Sequence, residues 1–357
     1  MNLRPWLILS RGSNLPTVWS STMAGWLLGT YWSSKASTFP LGLTEGGSTE
    51  VAMWPLPWLL LAVSAIYVGG MILNDVFDAA WDAQHRPARP IPAGQVSADT
   101  AFVVGFSLLL VGAVGAVAVR ILHARSFPFD SLERNNNHAG EVVVVASLLV
   151  AAVLAYNRWH KGVVWAPVVM GLCRALLPIL GLLVAGISFD SLGWHGRTFV
   201  LLCSFTLWLL TFTLTWVARH EATDSSPPAW TSWVIYLVPY PAMLALYGMR
   251  IGSLLILPIC LLYMAWIWFS DRRHPLPAGV PGRVADRLAA FPILDYLILS
   301  SVAGFAYIVY ALQSAGELAE KYQVAVANWY PMFGLALLGP LVCFGLTLLF
   351  RRWIPQT

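Results

Sequence analysis

Charged side chains are scarce in this chain. Asp, Glu, Lys and Arg make up 11% of its 357 residues, whereas an average soluble domain has about 25%. This scarcity excludes a soluble enzyme, a disordered segment and a protein that binds nucleic acid through a charged surface. Hydrophobic residues make up 58% and the mean hydropathy is +0.68, so the sequence predicts a polytopic membrane protein.

Cysteine and net charge are also low, and they exclude further classes of site. Cys173, Cys203, Cys260 and Cys343 are the only cysteines, and each lies within an apolar run without a CxxC partner. They therefore indicate small buried side chains rather than a thiolate metal site or a redox site. The net charge of +4 is too small to indicate a polyanionic partner such as nucleic acid.

Continuous apolar runs predict an all-α bundle of membrane helices, because the strands of a barrel would alternate in polarity. The stretch after Arg4 and Arg11 continues into a full-length run, which predicts a first membrane helix and no cleavable signal. The fourth run is short and the seventh and eighth are almost continuous, so nine and ten spans both remain open. The runs cover residues 15–32, 55–73, 100–122, 142–156, 163–187, 199–218, 231–249, 251–270, 292–312 and 330–350.

Lys and Arg are distributed unevenly between the two sides of the predicted bundle. With ten spans and a cytoplasmic N-terminus, 13 of the 21 lie on the cytoplasmic side, 7 on the other, and Arg174 inside a span. Because basic loops favour the cytoplasm, the sequence predicts a protein of the cytoplasmic membrane with both ends inside. Residues 74–99, 156–162 and 219–228 are then expected to meet at one cytoplasmic cavity.

Three carboxylates and an amide follow the second apolar run at helical spacing. At 100° per residue, Asn74, Asp75, Asp78 and Asp82 share one face, across about 100°. Like charges this close repel one another unless a cation lies between them. Hard oxygen ligands suit Mg²⁺, which completes its shell with water and substrate phosphate, so these four residues are candidate metal ligands. A solvated helix end with internal salt bridges is the alternative.

Basic residues on a proline-rich connector come directly after this acidic face. Pro87, Pro90 and Pro92 disfavour helix in the residues before them, so the helix is expected to end here with Arg86 and Arg89 beside the carboxylates. Arginine holds phosphate oxygens through paired donors. Metal-binding carboxylates next to anion-binding arginines predict a metal–diphosphate ligand.

The pattern resembles the UbiA superfamily of membrane prenyltransferases. Asn74-Asp75-x-x-Asp78-x-x-x-Asp82, followed by Arg86-Pro87-x-Arg89-Pro90-Ile91, is similar to the first aspartate-rich signature of that family. Three weaker elements occur in the expected order: residues 9–17, with Asn14; the Tyr156-x-x-x-x-Lys161 element; and Gly171-x-x-Arg174. The sequence predicts a single domain over residues 1–357. The resemblance covers about residues 9–300, and residues 313–357 are expected to add a C-terminal span.

The resemblance implies Mg²⁺-dependent transfer of a prenyl group from an allylic prenyl diphosphate to an unidentified acceptor inside the membrane. Membrane lipids are further expected partners. The implied diphosphate contacts are Asn14, Arg86, Arg89, Lys161 and Arg174, and the implied catalytic residues are Asp75, Asp78, Asp82, Tyr156 and Glu221. For three of these residues, a purely structural role stays open. Arg174 could serve packing, Lys161 could extend its charge to the interface, and Tyr156 could anchor a helix instead of facing a carbocation.

A second aspartate-rich motif is usual in the family at the cytoplasmic end of helix six, and here it is altered. The position reads Arg219-His220-Glu221-Ala222-Thr223-Asp224. Glu221 and Asp224 share a helical face and are candidate ligands of a second Mg²⁺; an Arg219–Glu221 pair at a helix end is the alternative. Because of this departure, terpene cyclisation, transfer of another diphosphate-activated group and non-catalytic carriage of a lipid diphosphate stay open.

Overall fold

A computed structural model of the chain describes residues 3–33, 53–125, 139–160, 163–220, 225–248, 256–276, 278–299 and 330–353. These ranges form α-helices, short 3-10 segments and turns, and they contain no strand. The predicted all-α membrane fold is confirmed.

The helices of the described ranges differ widely in length. They are α1 (Arg4–Ser10), α2 (Leu15–Ser33), α3 (Pro55–His85), α4 (Ala98–Arg125), α5 (Ala139–Trp159), α6 (Ala166–Val184), α7 (Gly193–Ala218), α8 (Ala229–Leu237), α9 (Pro239–Gly248), α10 (Ile256–Arg273), α11 (Val280–Leu288), α12 (291–299) and α13 (Tyr330–Trp353). Six of them, α3 to α7 and α13, are long and apolar enough to cross a membrane. The protein is therefore integral to the membrane, and the count of nine or ten spans stays a prediction.

Two apolar runs form helices that differ from their predicted form. The fourth run was expected to be short, but α5 has 21 residues and is long enough to span. The seventh run is divided into α8 and α9 at Pro239, which has no N–H to donate to the carbonyl of Ile235. That carbonyl instead accepts a hydrogen bond from the Tyr263 hydroxyl of α10 at 2.8 Å. A neighbouring helix therefore supplies the donor that is missing at the break.

α3 carries the acidic residues beyond the apolar part of the bundle. Its 31 residues make a helix about 46 Å long at 1.5 Å per residue, whereas the hydrocarbon core is about 30 Å thick. The helix ends at His85, two residues before Pro87, and Arg86 caps it in a non-helical conformation. The predicted position of the helix end is thus confirmed.

α2 and α6 cross with their backbones in contact. A Cβ added at Gly25 would overlap the backbone of Pro178, and one added at Gly181 would overlap the carbonyl oxygen of Thr22. Glycine at these two positions therefore permits the close approach, as small residues commonly do between membrane helices. The crossing brings the polar first turn of α2 next to Arg174.

Candidate active site

The C-terminal end of α3 is buried together with its carboxylates. Asn74, Asp75, Asp78 and Asp82 are 7%, 4%, 8% and 1% exposed. Burying several carboxylates is costly unless cations or hydrogen-bond donors compensate them. The groups that surround each carboxylate therefore determine the chemistry that this end of the helix can perform.

Arg89 lies between two of these carboxylates. Its Nη1 atom is 2.8 Å from Asp82 Oδ2 and 3.3 Å from Asp75 Oδ1. The connector brings it back over α3 through a tight turn, in which the Arg89 N–H donates to the Arg86 carbonyl at 3.1 Å. Arg86 itself is half-buried, with its guanidinium 5.6 Å from the Trp81 ring. Both predicted arginines thus lie beside the acidic face, and Arg89 lies within it.

Arg11 is a second cation at this face, and no role was predicted for it. Its Nη2 atom donates to Asp75 Oδ1 at 2.8 Å and to Asn74 Oδ1 at 3.3 Å. Burial lowers the pKa of Arg11, but the charge and hydrogen bond of Asp75, together with Tyr67 and Tyr156, outweigh that effect and raise the pKa above its usual value. Arg11 has a φ of 45° between α1 and the following 3-10 turn, and its carbonyl accepts from the Tyr67 hydroxyl at 3.2 Å. The sequence feature that could have indicated this role is that Arg11 is a single charged residue between two apolar stretches.

Asp78 faces α5 instead of the two arginines. His160 Nε2 lies 3.3 Å from Asp78 Oδ1, and the His160 ring stacks on Tyr156 with centroids 5.2 Å apart. The neighbouring Asn157 donates to the Gly70 carbonyl of α3 at 2.9 Å, which fixes α5 against α3. Tyr156 is therefore brought to the edge of the acidic face through His160, while Lys161 lies outside the described residues.

Arg174 and Asn14 form a second polar group on the α2 side of the site. Arg174 donates to the Thr17 carbonyl at 2.6 Å and to the Thr17 hydroxyl at 3.2 Å. Its guanidinium lies 3.9 Å from the centre of the Phe291 ring of α12. Asn14 accepts from Arg351 of α13 at 3.4 Å. Arg174 therefore faces the bundle interior, as predicted, where it makes hydrogen bonds to Thr17 and a cation–π contact with Phe291.

The altered second motif is described only at its start. α7 ends at Ala218, and Arg219 follows it. The Arg219 guanidinium donates a hydrogen bond to the Val163 carbonyl and lies 5.5 Å from the centre of the Trp216 ring. Glu221 and Asp224 lie outside the described residues, so their proposed metal binding and the alternative Arg219–Glu221 pair both stay predictions.

The donors at the end of α3 fit Mg²⁺ by their chemistry. Asp82 Oδ1 is buried and has no hydrogen-bond partner in the described part of the chain, which leaves a hard oxygen available to a cation. The described residues contain no group of three His, Cys, Asp or Glu side chains close enough to hold a metal ion. In this structure Arg11 and Arg89 supply positive charge at this acidic face.

Comparison with known proteins shows similarity to one family. The model of the UbiA prenyltransferase family matches residues 27–129, which include α3, its acidic end and the arginine connector. A solved structure of a digeranylgeranylglyceryl phosphate synthase shares the fold, with a TM-score of 0.52 and 17% sequence identity over 85% of this chain and 98% of that one.

Two curated relatives have the same name, digeranylgeranylglyceryl phosphate synthase. The one from Sulfurisphaera tokodaii is 30% identical over 182 residues, 51% of this chain and 56% of that protein. The one from Methanoregula boonei is 44% identical over 65 residues, 18% and 23% of the two chains. The chain thus spans about half the length of the first relative and less of the second. The family match and the motif at the end of α3 confirm that the chain resembles the UbiA prenyltransferase family.

Proposed function

We propose that the chain transfers a prenyl group from an allylic prenyl diphosphate to a lipid-type acceptor inside the membrane, with Mg²⁺ as cofactor. The observation that carries this proposal is the buried array of carboxylates and arginines at the end of α3. The match to the UbiA prenyltransferase family model supports the chemistry, and the name shared by the relatives supports an isoprenoid lipid as the product.

Mg²⁺ is proposed to be held by Asn74, Asp75, Asp78 and Asp82, where it would neutralise the diphosphate as a leaving group. A second ion on Glu221 and Asp224 belongs to the same proposal.

The arginines of the site are proposed to bind the phosphate oxygens. Arg11 and Arg89 already have their guanidinium groups within the acidic array, and Arg86 lies beside it. Lys161 is proposed as a further contact to the diphosphate. Donors fixed at the position where negative charge develops lower the barrier to ionisation. On the α2 side, Arg174 and Asn14 are proposed to complete the diphosphate site.

Tyr156 and the surrounding helices are proposed to protect the allylic cation. The Tyr156 ring is held beside Asp78 by its stacking on His160, and the face of an aromatic ring attracts a cation. A site closed by packed helices excludes water, which would otherwise hydrolyse the cation. Glu221 is proposed to accept the proton that the acceptor releases when it is alkylated.

The C-terminal helix is proposed to belong to the same single domain, 1–357. The contact from Arg351 to Asn14 supports this, because it joins α13 to the first turn of the bundle. The site is proposed to face the cytoplasm, on the evidence of the excess of Lys and Arg in the loops on that side.

Product analysis with a radiolabelled prenyl diphosphate and a membrane lipid extract tests the function. The wild type should form a prenylated lipid that disappears in excess chelator. Asp78→Asn should lose about 100-fold or more of the rate, by analogy with other groups that stabilise transition-state charge. Asp99→Asn, on the exposed first turn of α4, is the matched control. A cyclised hydrocarbon or an unchanged donor would refute prenyl transfer.

A further inference from the structure

A carboxylate to which the proposed function assigns no role is buried inside the bundle. Asp295 of α12 is 0% exposed, and its Oδ2 atom accepts a hydrogen bond from the Ser21 hydroxyl of α2 at 2.9 Å. Cys203 of α7 and Cys343 of α13 lie close enough to interact electrostatically with it. A carboxylate among packed membrane helices is costly, and such a residue commonly pairs with a cation and serves function.

Arg174 of α6 is a cation that compensates Asp295, because the two side chains attract each other. Arg174 contacts Thr17 of α2 and the Phe291 ring of α12. The hydrogen bond between Ser21 and Asp295 joins the same two helices four residues further along each of them. Because residues four apart share a helical face, the guanidinium and the carboxylate follow one another along the interface between α2 and α12.

The contacts of Arg174 leave part of its guanidinium available to an anion. In the described part of the chain its hydrogen bonds go to Thr17 alone, and its Nε atom is buried there without a partner. Asp295 therefore balances the charge of Arg174 through space and does not occupy its donors. A diphosphate at the proposed site would compete with Asp295 for the attraction of the same guanidinium.

We propose that Asp295 is the counter-charge of Arg174 and that it weakens the binding of pyrophosphate, the product that must leave the site after transfer. The word product rests on the proposed function, whereas the charge pair does not. The carboxylate repels a diphosphate and attracts the guanidinium that would bind it, and both effects favour release. Product release limits the turnover of many enzymes. Asp295 acts through Arg174, so it is a positioning residue.

Thermal unfolding of the full-length chain in nanodiscs tests the charge pair without a ligand. Arg174→Gln should lower the Tm, because it leaves Asp295 buried without this cation. Adding Asp295→Asn to that variant should raise the Tm again, since the amide oxygen still accepts from Ser21 and the side chain is no longer charged. A double variant whose Tm stays at or below that of Arg174→Gln would overturn the pairing.

Equilibrium binding of radiolabelled pyrophosphate with Mg²⁺ tests the effect on affinity. Asp295→Asn should lower the Kd about tenfold, the change that two unit charges about 10 Å apart produce at an effective dielectric constant of about 20. Asp295→Glu keeps the charge and should not tighten binding. Asp190→Asn, which neutralises an exposed carboxylate beside Arg197, is the matched control and should leave the Kd unchanged. A purely structural Asp295 predicts the opposite sign, because a damaged interface would hold Arg174 less well.

Turnover separates this inference from the proposed function. With a prenyl diphosphate, Asp295→Asn should lower KM and kcat together, since the donor binds more tightly and pyrophosphate leaves more slowly. An unchanged or raised pyrophosphate Kd in Asp295→Asn would overturn the inference and leave prenyl transfer standing. If Asp295→Asn binds pyrophosphate more tightly and the wild type still transfers no prenyl group, the proposed function is wrong and the counter-charge stands.

Discussion

Replacement of Arg89 by glutamine tests the electrostatics of the acidic face. Asp75 keeps Arg11 at 2.8 Å in this variant. Asp82 loses its contact with Arg89, and in the described part of the chain it has no second basic partner. We therefore expect Arg89→Gln to leave the Asp82 carboxylate buried without a compensating cation.

The size of the effect follows from the burial of the pair. The Arg89 and Asp82 side chains are 8% and 1% exposed, so water screens their interaction only weakly. Removing one partner of a buried ion pair costs about 3–5 kcal/mol, and the glutamine amide can keep one hydrogen bond, which places the expected loss near 3 kcal/mol. For a chain of this length, the corresponding fall in Tm is about 4 °C.

Thermal unfolding of the full-length protein, with chelator and with Mg²⁺, measures this loss. Mg²⁺ should restore roughly half of the lost Tm or more in Arg89→Gln, because a divalent cation next to Asp82 replaces the missing charge and stabilises the folded state by binding to it. Arg272→Gln, exposed at the end of α10, should stay within about 1 °C of the wild type. An unchanged Tm for Arg89→Gln in chelator would refute the electrostatic reasoning, and a loss that Mg²⁺ does not reduce would refute the metal assignment.

Three other experiments test the packing, the orientation and the second motif. Gly25→Leu should destabilise the α2–α6 crossing by about 3 kcal/mol or more and lower the yield of folded protein in size-exclusion chromatography. Gly140→Leu, where an added Cβ meets no atom within 4 Å, should be tolerated. Single cysteines at Ala83 and Ser225, in a chain without its native cysteines, should react with an impermeant reagent from the same side; opposite labelling would mean that the predicted spans between them are miscounted. Glu221→Gln should raise the Mg²⁺ concentration for half-maximal activity, and superimposable titrations would confine the metal to α3.

The acidic face could be predicted from the sequence because its cause is local. A helical repeat places Asn74, Asp75, Asp78 and Asp82 on one side, and Pro87 limits how far the helix can extend. Both features act over a few residues and need no knowledge of the remaining fold. The structure confirms that α3 ends before Pro87, at His85, and it shows that the four residues are buried.

The partners of this face could not be predicted, because they come from distant parts of the chain. Arg11 lies 64 residues from Asp75, and Arg351 lies 337 residues from Asn14. His160 was within the Tyr156–Lys161 element, but only the packing of α5 on α3 brings it to Asp78. Spacing along the sequence sets which side chains share a helical face, whereas the choice of partner depends on how the helices pack.

Arg11 and Arg89 explain how the carboxylates of this site can be buried when no charged substrate is bound. Arg11 and Arg89 lie on the carboxylates in this structure, which offsets a desolvation cost that three buried carboxylates would otherwise impose. Under the proposed function, Mg²⁺ and a diphosphate arrive with opposite charges, so the carboxylates would bind the metal while the arginines bind the phosphate oxygens. That exchange replaces one set of ion pairs by another and leaves no charge unpaired in a medium of low dielectric constant. Arg89 is central to it, since it touches both Asp75 and Asp82.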